Sequence, residues 1–304
     1  MGFVSLPGPP NRLMTEPRLN HVQCLDTRGL HRVAYWEWGA ASNPRVLVCA
    51  HGLARQGRDF DTLARALCAD YRVVCPDVVG RGQSDFLADP AGYQIPAYVA
   101  DMVTLLARLD AATVHWVGTS MGGLIGLGLA SLPGSPVSRL VLNDVGPTIR
   151  PEAIARIGTY LGVAQHWATL DEAADCLWSI SATFGPHTRE QWLALTRPML
   201  KPDGAGFKLH YDMNIALALR GLTPELMAMG EAMLWRSFDA VTCPTLLLRG
   251  AESDLLSHET ALLMTGRGPK ARLVEFAGVG HAPTLVAPDQ VAVVAEFLRE
   301  PVPS

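Results

Sequence analysis

The sequence predicts an α/β protein in which a mainly parallel β-sheet carries helices on both faces, with a helical segment inserted between two halves of the sheet. Three observations support this class. Short apolar runs alternate with helical segments before Pro147 and again after Phe238. Several of these runs are apolar without interruption, as in strands that are buried on both faces. Between the two halves, residues 150–238 show helical periodicity and no good strand.

The composition fits a protein with a large hydrophobic core and excludes two classes of partner. The chain has 304 residues, is 49% hydrophobic and has a net charge of −4 with a pI near 6.1. Such a core suits one domain with a large insertion. Because lysine and arginine form no cluster, nucleic acid is not expected as a partner. The uncharged stretch at residues 111–138 is broken by polar residues, glycines and Pro133, so no membrane-spanning helix is predicted.

Cysteine usage and the first residues predict a cytoplasmic protein. The six cysteines are scattered, without a C-x-x-C pair or the spacing of a metal site, which favours buried, reduced thiols over disulfides. The first 20 residues lack the apolar core of a signal peptide. With four prolines among the first 17 positions, residues 1–20 are predicted to be a flexible arm.

The first half of the chain begins with a hairpin and continues as alternating strands and helices. Arg28-Gly29 lies between two runs of alternating polar and apolar residues, which is a hairpin signal. Residues 95–109 form the clearest amphipathic helix. The strands predicted here are residues 21–26, 30–38, 46–50, 73–75, 114–117 and 140–142, and the helices are residues 60–67, residues 95–109 and the segment after Ser120.

The insert and the second half complete the pattern. Turn signals such as Pro202-Asp203-Gly204 separate the predicted helices of the insert. The last helix has Pro288 near its start and Asp289 in its first turn, both of which favour a helix N-terminus. The helices predicted in the insert are residues 152–161, 170–184, 189–200, 207–219 and 224–235. The second half is predicted to contain strands at residues 245–248 and 272–276 and a helix at residues 288–298.

A strand, a sharp turn and an apolar helix at residues 114–132 predict a nucleophile elbow. A strained turn would lift the Ser120 hydroxyl clear of the sheet. Bulk two residues before or after it would clash, which explains Gly118 and Gly122. A bare G-x-S-x-G also occurs by chance, or in a buried strand and helix without chemistry. The assignment therefore depends on the other motifs.

Polar residues follow the predicted strands, and His281 is the candidate general base among them. Functional groups in such sheets gather past the carboxyl ends of the strands. The Ser120 hydroxyl needs a base within hydrogen-bond reach, and small residues around His281 in loop 278–283 let its ring reach over the sheet edge. His51 is expected to be structural. The residues at strand ends are His51, Asp77, Ser120, Asp144, Asp254 and His281.

Two aspartates compete for the acid that would orient His281. The order serine, aspartate, histidine is the one expected with this elbow. We predict Asp254, because it follows the strand that comes next before the strand of the histidine. Asp144 also stands at a strand end and is the alternative, although it is more readily read as steering the chain into the insert.

Two backbone amides are the candidates for an oxyanion hole. The elbow geometry assigns one donor to the residue after the nucleophile, which is Met121, and a second to the loop after an early strand. The loop His51-Gly52-Leu53 fits that position and nominates the N–H group of Leu53. Both donors are main-chain groups, each expected to contribute about 10²- to 10³-fold to turnover.

With these motifs in order, the chain resembles the α/β-hydrolase family from about residue 21 to residue 300. The resemblance implies an eight-stranded sheet, a Ser120–His281–Asp254 triad, a helical cap over the site, and neither a metal nor an organic cofactor. Epoxide hydrolases and haloalkane dehalogenases of this fold use a carboxylate where this chain has Ser120. The implied organisation is an arm at residues 1–20, a core at residues 21–148 and 239–304, and a cap at residues 149–238.

The motifs favour a serine-dependent carboxylesterase that works through an acyl-enzyme. Methionines and aromatic residues are frequent in the insert; most would form its core, and some would line an apolar cleft for short to medium acyl chains. By family analogy the substrates extend to hydroxyacid oligoesters or polyesters. A thioesterase, a lactonase or a carbon–carbon bond hydrolase would share the triad. A non-catalytic binding protein of this fold is the alternative from another class. The oligomeric state is not predicted.

Overall fold

Eight strands form one sheet in the computed structural model, which describes residues 16–301. Most of the predicted arm lies outside these residues, and the first strand begins at Arg18 rather than at residue 21. The strands of the chain are β1 (Arg18–Asp26), β2 (Gly29–Trp38), β3 (Val46–Ala50), β4 (Arg72–Pro76), β5 (Val114–Thr119), β6 (Val137–Asn143), β7 (His166–Trp167), β8 (Leu200–Asp203), β9 (Gly206–Leu209), β10 (Thr245–Gly250) and β11 (Arg272–Phe276).

The strand order of the large sheet is β1-β2-β4-β3-β5-β6-β10-β11. The hairpin β1–β2 and the pair β2–β4 are antiparallel, and every later pair is parallel. The mainly parallel, eight-stranded sheet that the motifs imply is therefore present. Because β3, β5, β6, β10 and β11 run in one direction, the loops after them lie along the same edge of the sheet.

Helices cover both faces of the sheet. In β3, Leu47 and Cys49 belong to one buried cluster, while Val48 and Ala50 belong to the other. A strand buried on both sides explains its continuous apolar sequence. The helices are α1 (Asp61–Leu67), α2 (Ile95–Leu109), α3 (Met121–Ala130), α4 (Pro151–Tyr160), α5 (Leu170–Ser181), α6 (Arg189–Thr196), α7 (Ala216–Arg220), α8 (Pro224–Ala240), α9 (His258–Gly266) and α10 (Pro288–Arg299).

The insert contains a small β-sheet, so the prediction that it holds no strand is wrong. Strands β7, β9 and β8 pair antiparallel in that order. The helix predicted at residues 207–219 is instead β9, a 3-10 turn at Met213–Ile215 and the short helix α7. Strands of two to four residues are too short to show a period of two, and Gly204, with φ +59°, closes the hairpin between β8 and β9.

Two further observations concern the environment of the chain. Within residues 16–301 no helix combines the length and the apolar composition needed to cross a bilayer. All six cysteines are free thiols, and four of them are buried. The thiols of Cys49 and Cys75 lie on adjacent strands β3 and β4, where burial raises the pKa of the Cys75 thiol well above its usual range.

Candidate active site

Ser120 stands in a strained turn between β5 and α3. Its backbone has φ 52° and ψ −117°, a conformation that L-residues rarely adopt. A Cβ atom on Gly118 would lie 2.2 Å from the carbonyl oxygen of Gly122, and one on Gly122 would lie 1.9 Å from the carbonyl oxygen of Ala50. Both positions therefore require glycine, because any side chain there would clash with the backbone, as the sequence analysis predicts. The turn presents the Ser120 hydroxyl at the carboxyl edge of the sheet.

His281 lies within hydrogen-bond reach of this hydroxyl. The distance from its Nε2 atom to Oγ of Ser120 is 3.0 Å, and its side chain is 11% exposed. The glycine-rich loop after β11 carries the ring to this position, as predicted. The N–H group of Gly280 donates to the carbonyl oxygen of Thr183, which ties the loop to the insert. Ser120 and His281 are thus paired as a nucleophile and a general base would be.

The acid beside His281 is Asp144, and the prediction of Asp254 is contradicted. Oδ2 of Asp144 lies 2.7 Å from Nδ1 of His281. Asp254 instead forms a bidentate salt bridge with Arg156, with distances of 2.5 Å and 3.0 Å, and its side chain is 42% exposed. Both aspartates follow strands of the same sheet edge. Asp144 turns inward beneath the histidine loop, whereas Asp254 turns outward to helix α4.

The buried carboxylate of Asp144 is satisfied by donors from the end of β10. Its side chain is fully buried, and its backbone has a positive φ of 55°. The Gly250 N–H donates to Oδ1 at 2.8 Å, and the Ser253 hydroxyl donates to Oδ2 at 2.6 Å. Hydrogen bonds of this kind offset the cost of burying a polar side chain. Asp144 can therefore hold Nδ1–H of His281 and leave Nε2 as the acceptor facing Ser120.

An amide side chain ties the loops that carry the serine and the histidine. The Nδ2 group of Asn143 donates to Oγ1 of Thr119 at 2.9 Å and to the carbonyl oxygen of Pro283 at 2.8 Å. The Ser120 N–H in turn donates to the carbonyl oxygen of Asn143. Asn143 and Ser253 therefore support the site, and the sequence pattern pointed to neither of them.

Leu53 and Met121, the predicted oxyanion-hole residues, flank the serine. Leu53 lines the cavity over Ser120 together with Gly52, and Met121 is the first residue of α3. Among residues 16–301, neither N–H group donates to a protein acceptor. The first amides of a helix have no partner within it, and such groups stabilise negative charge. Both groups are available for an oxyanion, although that role remains a prediction.

A buried arginine that the sequence analysis did not single out holds both of these residues. Nε of Arg81 donates to the carbonyl oxygen of Leu53 at 2.9 Å, and Nη2 lies 3.5 Å from Sδ of Met121. Nη1 donates to the Tyr98 hydroxyl, whose ring lies against the guanidinium. Arg81 is fully buried, and within the described chain no carboxylate lies within 4 Å of it. It stands between Gly80 and Gly82 in the turn after β4, and both glycines have a positive φ.

His51 is structural, as expected. Its Nδ1 contacts the carbonyl oxygen of Gly52 at 2.7 Å, and the Val78 N–H donates to its Nε2 at 2.9 Å. Nε2 must therefore be unprotonated, and the ring is neutral. Complete burial lowers the pKa of His51 to about 3. This neutral ring joins the loop after β3 to the loop after β4.

The cavity above Ser120 is formed by the sheet edge on one side and by the insert on the other. Its insert wall is largely apolar and includes Ile157, Leu177 and Met199. The charged side chains in the lining are Arg55 and Arg156; neither aspartate nor glutamate contributes to it within the described chain. Of the methionines and aromatic residues considered for the cleft, Met199 and Phe184 line it, whereas Met229 and Met233 are exposed on α8.

A cluster of potential metal ligands lies elsewhere, between β1, β2 and α2. Ligand atoms of Cys24, His31 and Asp101 fall within 4.8 Å of one another. Nε2 of His31 is hydrogen-bonded to the Asp101 carboxylate at 3.0 Å. Burial raises the pKa of the Cys24 thiol to about 12, so the sulfur holds its proton. We interpret the cluster as a buried hydrogen-bonded contact that joins the hairpin to α2.

The fold and the serine–histidine–aspartate arrangement define a hydrolase, and comparison with known proteins places the chain in a family. A model of the alpha/beta hydrolase fold matches residues 45–288. The chain belongs to the α/β-hydrolase family, which confirms the resemblance and the predicted fold class.

Several individual proteins are similar to this chain along most of their length. The chain is 57% identical to a 3-hydroxybutyrate-oligomer hydrolase of Cupriavidus necator, over 94% of this chain and 99% of that protein. It is 32% identical to a pimeloyl-[acyl-carrier protein] methyl ester esterase of Aromatoleum aromaticum, over 82% of this chain and 96% of that protein. Among solved structures, an alpha/beta hydrolase from Novosphingobium aromaticivorans matches with a TM-score of 0.82 and 36% identity, covering 93% of this chain and 98% of the other.

Proposed function

We propose that this protein, an ester-cleaving hydrolase of the α/β-hydrolase family, acts on oligoesters of short hydroxy acids such as 3-hydroxybutyrate. The observation that carries the mechanism is the continuous hydrogen-bonded series Asp144–His281–Ser120 beneath a cavity with a largely apolar wall. The substrate class is supported by the relative at 57% identity, which is a 3-hydroxybutyrate-oligomer hydrolase. Such oligomers are joined by ester bonds and expose methyl-bearing units that suit an apolar wall.

In the first step, Oγ of Ser120 attacks the carbonyl carbon of the ester, and Nε2 of His281 accepts the serine proton. The carbonyl oxygen becomes an oxyanion, for which the N–H groups of Leu53 and Met121 are the donors. The bond to the alcohol oxygen then breaks, and His281 donates its proton to that oxygen. Asp144 stabilises the imidazolium that forms in between without taking its proton. The product is an acyl-Ser120 ester and one shorter alcohol.

In the second step, water replaces the departed alcohol. His281 takes one proton from the water as its oxygen attacks the acyl carbon, and the oxyanion forms again between the same two amides. When the bond to Oγ breaks, His281 returns the proton to Ser120. The second product is a carboxylic acid. No redox step or cofactor enters this sequence, because each bond change is an acyl transfer.

The test is hydrolysis of a substrate panel by wild type and by Ser120→Ala. The panel holds 3-hydroxybutyrate dimer and trimer, nitrophenyl esters from acetate to palmitate, an acyl thioester, a lactone and a diketone. We expect release of 3-hydroxybutyrate from the oligomers by wild type and loss of that release in the variant. Turnover of the thioester, lactone or diketone without turnover of the oligomers would contradict the substrate assignment.

A covalent label separates an active enzyme from a non-catalytic protein of this fold. A fluorophosphonate reacts with activated serine nucleophiles, so wild type is expected to be labelled at Ser120 and Ser120→Ala to remain unlabelled. Ser131, whose hydroxyl donates to the carbonyl oxygen of Gly128 at the end of α3, gives a matched serine control. Ser131→Ala should be labelled like wild type. Absence of both turnover and label would favour the binding-protein alternative.

We also propose that the protein acts in the cytoplasm. The support is the state of its cysteines, which are six free thiols with four of them buried. Reduced thiols are typical of compartments in which disulfides do not persist. Fractionation of cells that express the full chain, followed by activity measurement, tests the location, and activity confined to the periplasm or the medium would contradict it.

A further inference from the structure

Arg156 brings a positive charge into a cavity whose wall is otherwise mostly apolar. It lies on α4, the first helix of the insert, and its side chain lines the cavity over Ser120. The side chain is 34% exposed and faces the cavity rather than the protein core. The proposed acyl transfer gives this cation no role. A charged group in an apolar binding site needs a reason, because removing it from water costs free energy.

The hydrogen bonds of Arg156 leave part of its guanidinium outside the salt bridge. Nε and Nη2 donate to the carboxylate of Asp254, and Nη1 takes no part in that contact. Tyr160, one helical turn further along α4, also lines the cavity and interacts with the same guanidinium. Burial raises the pKa of Tyr160, so its hydroxyl keeps its proton and can donate. An arginine edge and a tyrosine hydroxyl together form a suitable site for a carboxylate.

The other arginine in the cavity is held differently. Arg55 makes a bidentate salt bridge to Asp59 at 2.6 Å and 2.7 Å, and both partners are mostly buried. Its Nη1 and Nη2 groups also reach Met199 and the carbonyl oxygen of Leu195. All three nitrogens of Arg55 are therefore occupied. Arg156 is the cavity arginine that can take another anion without giving up its present partner.

We propose that Arg156, with the Tyr160 hydroxyl, binds the free carboxylate of the hydroxyacid oligoester. This inference rests on the proposed function, because a linear hydroxyacid oligomer ends in one carboxylate and carries no other charge. The remaining units would lie against the apolar wall formed by residues such as Ile157 and Leu177. An anchored acid end fixes how far along the chain the ester bond at Ser120 lies. Cleavage would then be counted from the acid end.

The test compares two trimers of 3-hydroxybutyrate that differ at one group. One has the free terminal carboxylate, and the other has a neutral carboxamide of the same shape there. For Arg156→Gln, we expect KM for the acid to rise about tenfold to hundredfold, which is the range for losing a charge-assisted hydrogen bond. KM for the carboxamide and kcat for both trimers should change less than about twofold. Arg156→Lys keeps the positive charge but loses the planar guanidinium with its several N–H donors. Its KM for the acid should lie between those of wild type and Arg156→Gln.

A double-mutant cycle separates lost attraction from new repulsion. Arg156→Gln leaves the carboxylate of Asp254 without its partner, and this charge could repel the acid. Asp254→Asn alone should leave KM for the acid unchanged or lower it. In the double variant Arg156→Gln/Asp254→Asn, KM for the acid should stay as high as in Arg156→Gln. Recovery to the wild-type KM in the double variant would overturn the proposal, since repulsion alone would then explain the effect.

Several other outcomes would also overturn the proposal. Equal KM values for acid and carboxamide in wild type, or equal changes for both in Arg156→Gln, would overturn carboxylate recognition while leaving the hydrolase intact. No turnover of either trimer by wild type, with Ser120 still labelled by a fluorophosphonate, would overturn the proposed substrate and this inference with it. Early products of a trimer labelled in its acid-end unit give an independent readout. Wild type should release the labelled unit in one fragment size, and mixed sizes would contradict anchoring.

Discussion

Oδ2 of Asp144 lies 2.7 Å from Nδ1 of His281, a residue 137 positions further along the chain. The contact is made beneath a loop that leaves the edge strand β11 and returns across β10 to reach β6. Ser253, on the loop after β10, supports the carboxylate with its hydroxyl. The acid of the candidate triad therefore follows β6, which lies beside the strand β5 that leads to Ser120. Its hydrogen-bond donors come from the end of β10, which lies between β6 and β11.

Replacing the two competing aspartates should give opposite results. Asp144→Asn keeps the shape of the side chain but removes the charge that fixes the tautomer of His281. We expect kcat for a nitrophenyl ester to fall by about 10⁴. Asp254→Asn removes a half-exposed salt bridge to Arg156 and should leave kcat for this neutral ester within about twofold. Steady-state kinetics on both variants, with circular dichroism to show that they are folded, make the comparison. A large loss only in Asp254→Asn would restore the original assignment.

Replacing the glycine at position 122 should destabilise the fold strongly. A methyl group there would lie 1.9 Å from the carbonyl oxygen of Ala50 and 2.9 Å from that of His51, and backbone atoms cannot rotate away as a side chain could. We expect Gly122→Ala to lower the free energy of unfolding by more than about 3 kcal/mol, as strongly overpacked sites do. Gly158→Ala, in helix α4, is the matched control, because no neighbouring atom would lie within 4 Å of the added methyl group. This variant should raise the free energy of unfolding by about 0.5–1 kcal/mol. Urea denaturation measures both, and equal stability of the two variants would contradict this account.

The buried guanidinium of Arg81 should act on turnover through Leu53 and Met121. Arg81→Met keeps the length of the side chain but removes the donor to the Leu53 carbonyl group. We expect kcat to fall by about tenfold to hundredfold, the range for a misplaced catalytic group. KM should change little, because Arg81 itself does not line the cavity. Arg65→Met is the control, since Arg65 makes one exposed contact with Asp61 at 3.3 Å. A loss of stability in Arg81→Met without a loss of kcat in the folded fraction would make Arg81 purely structural.

His51 should make folding sensitive to acid. Its pKa is about 3 in the folded protein and 6.5 in the unfolded chain, so only the unfolded state takes the proton between these values. Above about pH 6.5 His51 is neutral in both states and contributes no pH dependence. Below it, the free energy of unfolding falls by at most about 1.4 kcal/mol per pH unit.

The measurement compares wild type with His51→Gln, which cannot titrate. Glutamine offers Val78 an acceptor in place of Nε2. The difference in unfolding free energy should be constant from pH 8 to about 6.5 and should shrink from there towards pH 4. Taking the difference cancels other groups, including Asp77, whose pKa burial raises to about 6 and which acts in the opposite direction. A constant difference down to pH 4 would show that His51 is not held neutral.

The fold was predictable because its signals are strong and local. Continuous apolar runs mark the strands buried on both faces, and the glycines around Ser120 are required by clashes that the structure locates. The position of His281 followed from the small residues of its loop. The choice between Asp144 and Asp254 was not local. The order of the residues along the chain allows either aspartate to orient His281. In the structure, Gly250 and Ser253 donate to the carboxylate of Asp144, whereas Arg156 binds that of Asp254.

The insert was less predictable for a related reason. Its small sheet uses strands of two to four residues, which carry no measurable alternation, and the segment at residues 207–219 has apolar spacing that suits a helix. Pairing with β8 and β7 overrides that preference. Arg81 was missed because a lone arginine in a glycine-rich turn resembles a solvated residue. Only the tertiary structure shows that it is buried.

The separation of Ser120, Asp144 and His281 along the chain has a consequence for folding. Their hydrogen bonds span 137 and 161 residues, and the donors to Asp144 come from a fourth strand. Contacts between such distant segments form late, because closing long loops is slow. Helices can appear in a partly folded chain, but Ser120, as the proposed nucleophile, would become reactive only when β5, β6, β10 and β11 are in register. Recovery of activity in a refolding reaction therefore reports when the sheet is complete, and it should lag behind the return of helical structure.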